Sequence, residues 1–136
     1  MEAELRALFS NAMEHYGASQ SISVQHPNVA FDKPTGSNGQ YFKLATLPVK
    51  PSVHTVCGVA RYRWILQVSI YFRDGFGEIK PLIQADKIRD EVFPVNTILE
   101  GSTHSYRVMT PPYPAPPIPM DGWFSVPVSF TIQTIQ

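Results

Sequence analysis

Arg61-Tyr-Arg-Trp-Ile-Leu-Gln-Val-Ser-Ile-Tyr-Phe72 is the stretch that decides the fold. Its even positions, Tyr62, Trp64, Leu66, Val68, Ile70 and Phe72, are all apolar, whereas Arg61, Arg63, Gln67 and Ser69 on the odd positions are polar. A period of two is that of an extended chain whose successive side chains point to opposite faces, so one face of this strand joins a core and the other does not. At about 3.3 Å per residue the strand covers roughly 40 Å, about the full width of a domain of this size.

Upstream, residues 41–47 predict another strand, after which Pro48 and Pro51 are expected to interrupt the chain and 53–59 to add a short irregular strand. Residues 26–40 carry Pro27, Asn28, Pro34, Gly36, Asn38 and Gly39 and predict a long loop, and loops of that length usually serve a function. A short alternating strand is expected at 21–25. Leu5, Leu8, Phe9, Ala12, Met13 and Tyr16 recur at three- and four-residue spacing, which predicts a helix over about 2–16 that Gly17 stops.

Downstream, Asp74-Gly-Phe-Gly77 makes a turn into a second helix marked by Ile79, Leu82, Ile83, Ala85, Ile88, Val92 and Phe93. Pro81 is tolerated only near the start of that helix, which ends before Pro94. Short strands around 97–99 and 105–109 lead to Thr110-Pro-Pro-Tyr-Pro-Ala-Pro-Pro-Ile-Pro119, expected as extended, polyproline-like chain within a loop over about 110–122. Asp121-Gly122 then turns into a last strand in which Phe124, Val126, Val128, Phe130 and Ile132 share one face. Pro127 lacks a ladder donor, so an edge position or a bulge is expected there. The charge-free stretch 122–136 reads as an edge that a partner subunit covers.

The order α-β-β-β-α-β-β predicts one α+β domain over 1–136, with a mostly antiparallel, mixed sheet of about four to six strands and two helices packed on one face. Hydrophobic residues make up 43% of the chain and charged residues 16%, and 11 acidic residues cancel 11 basic ones, so no net field draws the chain to nucleic acid or an anionic membrane. The single cysteine, Cys57, excludes an internal disulfide. Met1-Glu-Ala-Glu-Leu-Arg6 has no basic and apolar leader pattern, and no stretch offers about 20 continuous apolar residues, so neither a secretory signal nor a membrane span is expected.

Chemistry-bearing patterns are sparse. Gly75-Phe-Gly77 opens like a dinucleotide fingerprint, but Lys80 stands where the third glycine belongs, and a tight turn explains the pair. Gly36-Ser-Asn-Gly39 lacks the Lys-Ser/Thr of a phosphate loop. His15, His26, His54 and His104 fall in separate segments without metal-ligand spacing, and Cys57 reads as a small buried hydrophobe. Asp86, Asp90 and Glu91 share a helix with Lys87 and Arg89, the pattern of a solvated face with local ion pairs. Arg61, Arg63 and Arg73 lie beside Tyr62, Trp64 and Tyr71, but alternation turns Tyr62 and Trp64 inward and so argues against stacking on single-stranded nucleic acid. No catalytic, cofactor or metal site is therefore expected. The PxxP registers at Pro111, Pro114 and Pro116 suit either a rigid arm to a neighbouring subunit or a plain surface connection, with docking on an SH3-type module a weaker fit.

Taken in order, the first helix, the Pro/Gly-rich loop, Gln40-Tyr-Phe-Lys-Leu44, the 61–72 strand, Asp74-Gly-Phe-Gly77, the helix ending in Glu91-Val-Phe93, the proline-rich run and Gly122-Trp-Phe-Ser-Val-Pro-Val128 resemble the tail-terminator-like proteins of long-tailed, siphovirus-type bacteriophages and prophages. The resemblance spans almost the whole chain and carries no catalytic signature. It implies a structural protein of the virion tail and neck, assembled in the bacterial host cytoplasm. Such a protein forms a ring, usually a hexamer, that caps the tail tube, stops its polymerisation and provides the head–tail joining surface. Its implied partners are further copies of itself, the tail tube protein and a head–tail connector or completion protein, while DNA crosses the pore without specific binding. No cofactor is implied.

Physical reasoning names the interface candidates: Arg61, Arg63, Ile65 and Tyr71 on the open sheet face, Phe31, Asp32 and Lys33 in the first loop, and Tyr113, Ile118, Met120 and Trp123 around the second. A closing ring needs two different patches per subunit, which face and loops would supply. The alternatives are a head-completion or neck connector protein and, in another class, a small binding module or enzyme with a pocket under the proline-rich loop.

Overall fold

The alternating stretch at 61–72 is the body of strand β3 (Ala60–Arg73). The computed structural model describes residues 2–27, 29, 31, 39–53, 60–73, 77, 79–120 and 122–135, with 52, 53, 60 and 120 described by their backbone alone. On one side β3 pairs antiparallel with β2 (Gln40–Val53), on the other with β8 (Trp123–Ile135). β1 (Ser23–Gln25) adds to β2 in parallel, and β5 (Ser105–Val108) and β4 (Ile98–Glu100) continue antiparallel beyond β8. The sheet therefore runs β1-β2-β3-β8-β5-β4, with two further short strands, β6 (Tyr113–Pro114) and β7 (Ile118–Met120), also paired to β8. This is the expected α+β arrangement with a mixed sheet.

Four of the expectations are corrected. The proline-rich run is not a free polyproline arm: Tyr113 and Ile118 align with Ser129 and Ser125 of β8, and the Ala115 amide donates to the Pro127 carbonyl (2.8 Å). Proline lacks a donor but keeps its acceptor, so interspersed Tyr, Ala and Ile amides suffice for a short ladder. As a result β8 is no edge. β3 flanks it on one side, and β7, β6 and β5 in turn on the other. The carbonyl of Pro127 faces β6, and in an antiparallel strand a residue's amide and carbonyl point the same way, so its missing donor falls between β6 and β7.

Pro48 and Pro51 do not interrupt β2. β1 flanks that strand only at Tyr41–Lys43, so the proline stretch has one described neighbour, and a register shift between Val49 and Ser52 absorbs Lys50 and Pro51 as a bulge. Gly17, in turn, does not stop the first helix, α1 (Glu2–Gln20). It lies in the helix because a Cβ there would be 2.6 Å from the Ile22 carbonyl and 2.8 Å from Val24. The turn comes later, at Ser21 with φ 58°, where the Ile22 amide donates back to Gly17 (2.8 Å).

The core lies between the sheet and the helices. Even residues of β3 and β8, from Trp64 to Phe72 and from Val126 to Ile132, are buried with Phe42 and Leu44 of β2. α1 presents Leu5, Phe9, Met13 and Tyr16 to them, and α2 (Ile79–Lys87) presents Pro81 and Ala85. A π-helical turn over Ile88–Val92 follows α2, closed by the Phe93 amide donating to the Ile88 carbonyl (2.9 Å). Residues five apart lie about 140° apart on an ordinary helix, and the wider turn brings Ile88 and Phe93 to the same buried side. Phe93 then stacks on Phe130 (4.7 Å) and meets Phe9 (5.8 Å), tying both helical segments to β8.

Glu4 fixes the start of α1. Its Oε2 accepts from the Thr103 amide (3.0 Å), the Thr103 hydroxyl (2.9 Å) and the Ser102 hydroxyl (3.0 Å), and its Oε1 from the His104 amide and the Tyr106 hydroxyl (both 3.1 Å). The Thr103 amide above all holds this carboxyl down to about 2. Gly101 leaves room for it, since a Cβ there would collide with the carboxyl group.

Candidate assembly surface

Because the helices cover one face of the sheet, the odd residues of β3 and their cross-strand neighbours form an open face. Register assembles it in rows. Leu47, Ile65 and Thr131 make one row across β2, β3 and β8. The next toward the β2–β3 hairpin is Val49, Arg63, Gln133, Arg107 and Ile98, and on the other side lies Ala45, Gln67, Ser129 and Tyr113. Leu47 is 51% exposed and Tyr113 60%, with Val49 and Ile98 also exposed, so the face has an apolar centre in water.

At one end the face closes into an aromatic cluster. Tyr41 and Tyr71 stack with centroids 4.7 Å apart, Phe31 packs on Tyr41 at 5.1 Å, and Trp123 meets Tyr41 edge-on at 5.2 Å. The Arg73 guanidinium lies 4.2 Å above the Trp123 ring. Burial pushes the Tyr41 hydroxyl above its ordinary value, with the neighbouring Tyr71 adding to the effect. Residues expected from the two loops and the open strand thus meet here: Phe31, Tyr71 and Trp123 touch one shared ring, Tyr41, and Ile118 aligns with the same row through Ser125.

Arg61 and Arg63 lie toward the opposite end of β3, Ile65 in the middle, and Met120 beside Trp123 by backbone register. Trp123 is only 6% exposed, because Arg73 and Tyr41 cover it; truncating it would strike the subunit's own packing as well as any contact. Asp32 and Lys33 lie outside the described residues, as do His54, Cys57, Gly36 and Gly75. Sequence reasoning missed Tyr41, Leu47, Val49, Ile98 and Arg107. On β2 the odd Leu47 and Val49 are as apolar as the even Phe42 and Leu44, so periodicity could not sort its faces, and β4 is too short to show a period.

The zero net charge is unevenly placed. Lys43, Arg61, Arg63 and Arg107 belong to the open face, where Glu100 at its margin is the one carboxylate among the described residues. Acidic residues gather on the helical side instead, as Glu2, Glu4 and Glu14 of α1 and Asp86, Asp90 and Glu91 of the second helical segment. There Arg89 pairs with Asp86 (3.3 Å) and Asp90 (2.9 Å), and Glu14 with His26 (2.5 Å). Among the described residues no three His, Cys, Asp or Glu side chains gather as a metal site would need, and no helix is long and apolar enough to cross a membrane.

Two grooves accompany these surfaces: one of about 480 Å³ between α1 and β2, lined by Arg6, Phe9, His26 and Leu44, and one of about 250 Å³ at the root of the β2–β3 hairpin. Neither of these two grooves borders the proline-rich run 110–119.

The described residues make an α+β fold whose sheet has one face covered by helices and the other carrying exposed apolar and cationic side chains. Comparison with known proteins gives the family. The profile of the phage tail terminator proteins matches residues 4–131, and the chain belongs to that family of structural phage proteins, a component of the virion tail. One solved structure, 22% identical, superposes with a TM-score of 0.80 over 100% of this chain and 96% of its own, which shows a shared fold. No curated protein matches the sequence.

Proposed function

We propose that this chain is the subunit of a closed ring, roughly six copies around, that caps the finished tail tube, halts its polymerisation and presents the surface on which the head is joined. The family match over 4–131 supports the terminator role. The observation that carries self-assembly is the open face, with Leu47 and Val49 exposed beside Ile65. Leu47, Val49 and Ile65 are neighbours by register, and an exposed apolar patch of this kind supports a protein contact over a solvated surface.

In this reading the subunit contacts further copies of itself, the tail tube protein and a head–tail connector, and assembles in the host cytoplasm. DNA passes through the ring without specific binding. The test adds the purified chain to polymerising tail tube protein and measures tube length by electron microscopy. Capped tubes of limited length, with density for a ring at the tip, are expected. Tubes that grow on unhindered, while the chain binds the head-side connector, would instead make it a neck connector.

A further inference from the structure

The ring reading leaves open which surface of one subunit meets which of the next, and a second exposed stripe answers that. On α2 and the π-helical turn, Ile79, Ile83, Asp86 and Asp90 follow one another at spacings of four, three and four, along one side of the helix. That side is opposite the buried Pro81, Ala85 and Ile88, and Ile79 is 67% exposed. Two isoleucines in water at one end of a helix, and two carboxylates at the other, are unneeded by the fold itself. Lys80 and Lys87 flank the stripe rather than lie in it, and Lys87 is turned onto Gln20 (3.2 Å).

The open sheet face has the complementary pattern. Its apolar centre around Leu47 and Ile65 gives way toward the hairpin to Arg63, Arg107 and then Arg61. Among the described residues none of these three arginines forms an ion pair, whereas the open face offers them only Glu100 at its margin. The dimensions agree as well. The middle of the isoleucine pair and the middle of the aspartate pair are seven residues apart, about 10 Å along a helix. From Ile65 to the midpoint of Arg63 and Arg61 is three residues, about 10 Å along a strand.

We infer that the Ile79–Ile83–Asp86–Asp90 stripe of one subunit docks on the open sheet face of the next copy, isoleucines on Leu47 and Ile65 and aspartates toward Arg61, Arg63 and Arg107. The inference rests on the ring reading and deepens it. The two patches lie on opposite sides of the subunit, so the contact is head to tail and repeats until the ring closes. It repeats outside the subunit what the helices already do inside it, an apolar helix face laid on an apolar sheet face. Arg89, bonded to both aspartates in the free subunit, holds their carboxylates in place at one edge of the stripe.

Charge exchange tests the pairing. One variant carries Arg61→Glu and Arg63→Glu, the other Asp86→Lys and Asp90→Lys; all four positions lie off the core, and circular dichroism with thermal melting confirms folding. Each variant alone should lose self-association by on the order of a hundredfold, because like charges then face each other. An equal mixture of the two should recover ring assembly, since each then offers the patch that the other's altered patch requires. Should either variant fail to fold, Leu47→Asp and Ile83→Asp replace the pair, with each alone expected to abolish assembly.

Wild-type rings with both variants also forming rings would overturn this contact and leave the ring reading standing. Loss in each variant without recovery in the mixture would overturn it too, since the patches would then face other surfaces. Binding of a duplex DNA oligonucleotide by wild type, lost with the arginine variant while assembly persists, would make the face a phosphate-binding surface instead. A wild type that stays monomeric even on tube tips would remove the ring reading and this contact with it.

Discussion

The two faces of β3 differ far more than their shared backbone suggests. Trp64, Leu66, Val68, Ile70 and Phe72 are buried against two helices, while Arg61 is exposed, Arg63, Ile65 and Gln67 are half-buried, and Tyr71 is covered only by the aromatic cluster around Tyr41. Both faces contain apolar side chains, so hydrophobicity alone does not separate core from surface. What separates them is completeness. The core face has its partners within the chain, whereas the open face has exposed apolar residues and, among the described residues, Arg61, Arg63 and Arg107 without an ion pair, which in the proposed ring meet a second copy.

The comparison predicts a graded response to substitution, and the largest effect belongs to the core face. Phe93→Ala removes a ring shared by Phe9 and Phe130 and should cost about 3–5 kcal/mol in denaturant unfolding. A smaller loss, about 1–3 kcal/mol, is expected for Gly17→Ala, where the new Cβ meets the Ile22 carbonyl. Wild-type-like stability of that variant would show that α1 and β1 can separate there without loss.

Glu4 gives a pH test of the link between α1 and the β4–β5 turn. Its carboxyl lies at about 2 in the folded chain against an ordinary 4.5, so its stabilisation is full above 4.5 and lost as pH falls through about 2. Hydrogen exchange at the Thr103 and His104 amides should quicken over that window in wild type and be fast at every pH in Glu4→Gln. The smallest effect on folding belongs to the open face: Leu47→Asp should leave unfolding free energy within about 0.5 kcal/mol while removing assembly.

Much of this architecture was legible in the sequence, for identifiable reasons. The period of two in β3 and β8 announced both strands and their inner faces, and the proline at 81 marked the start of α2. What stayed hidden was non-local or one residue deep. Nothing local to β8 tells which strands flank it, so its uncharged run read as an edge although the proline-rich segment folds back over it. The π-helical turn changes the helix by a single residue, within the scatter of any apolar period. Gly17 read as a helix breaker because the close approach of Ile22 and Val24 exists only after folding.

The candidate surface was half legible. Alternation placed Arg61, Arg63, Ile65 and Tyr71 on one face, but the convergence of Phe31, Tyr71 and Trp123 on Tyr41 depends on strand order. Segregation of charge was equally invisible, since an even balance of 11 and 11 along the chain says nothing of its sides. Only register puts Arg107 of β5 in one row with Arg63 of β3.

The most direct test of the central claim, that the open sheet face holds subunits together, is the solution mass of wild type and Leu47→Asp by light scattering across protein and salt concentrations, with negative-stain imaging of any large species. The account predicts closed rings near six subunits for wild type and folded monomer for the variant. Rings that form equally well with Leu47→Asp would contradict it.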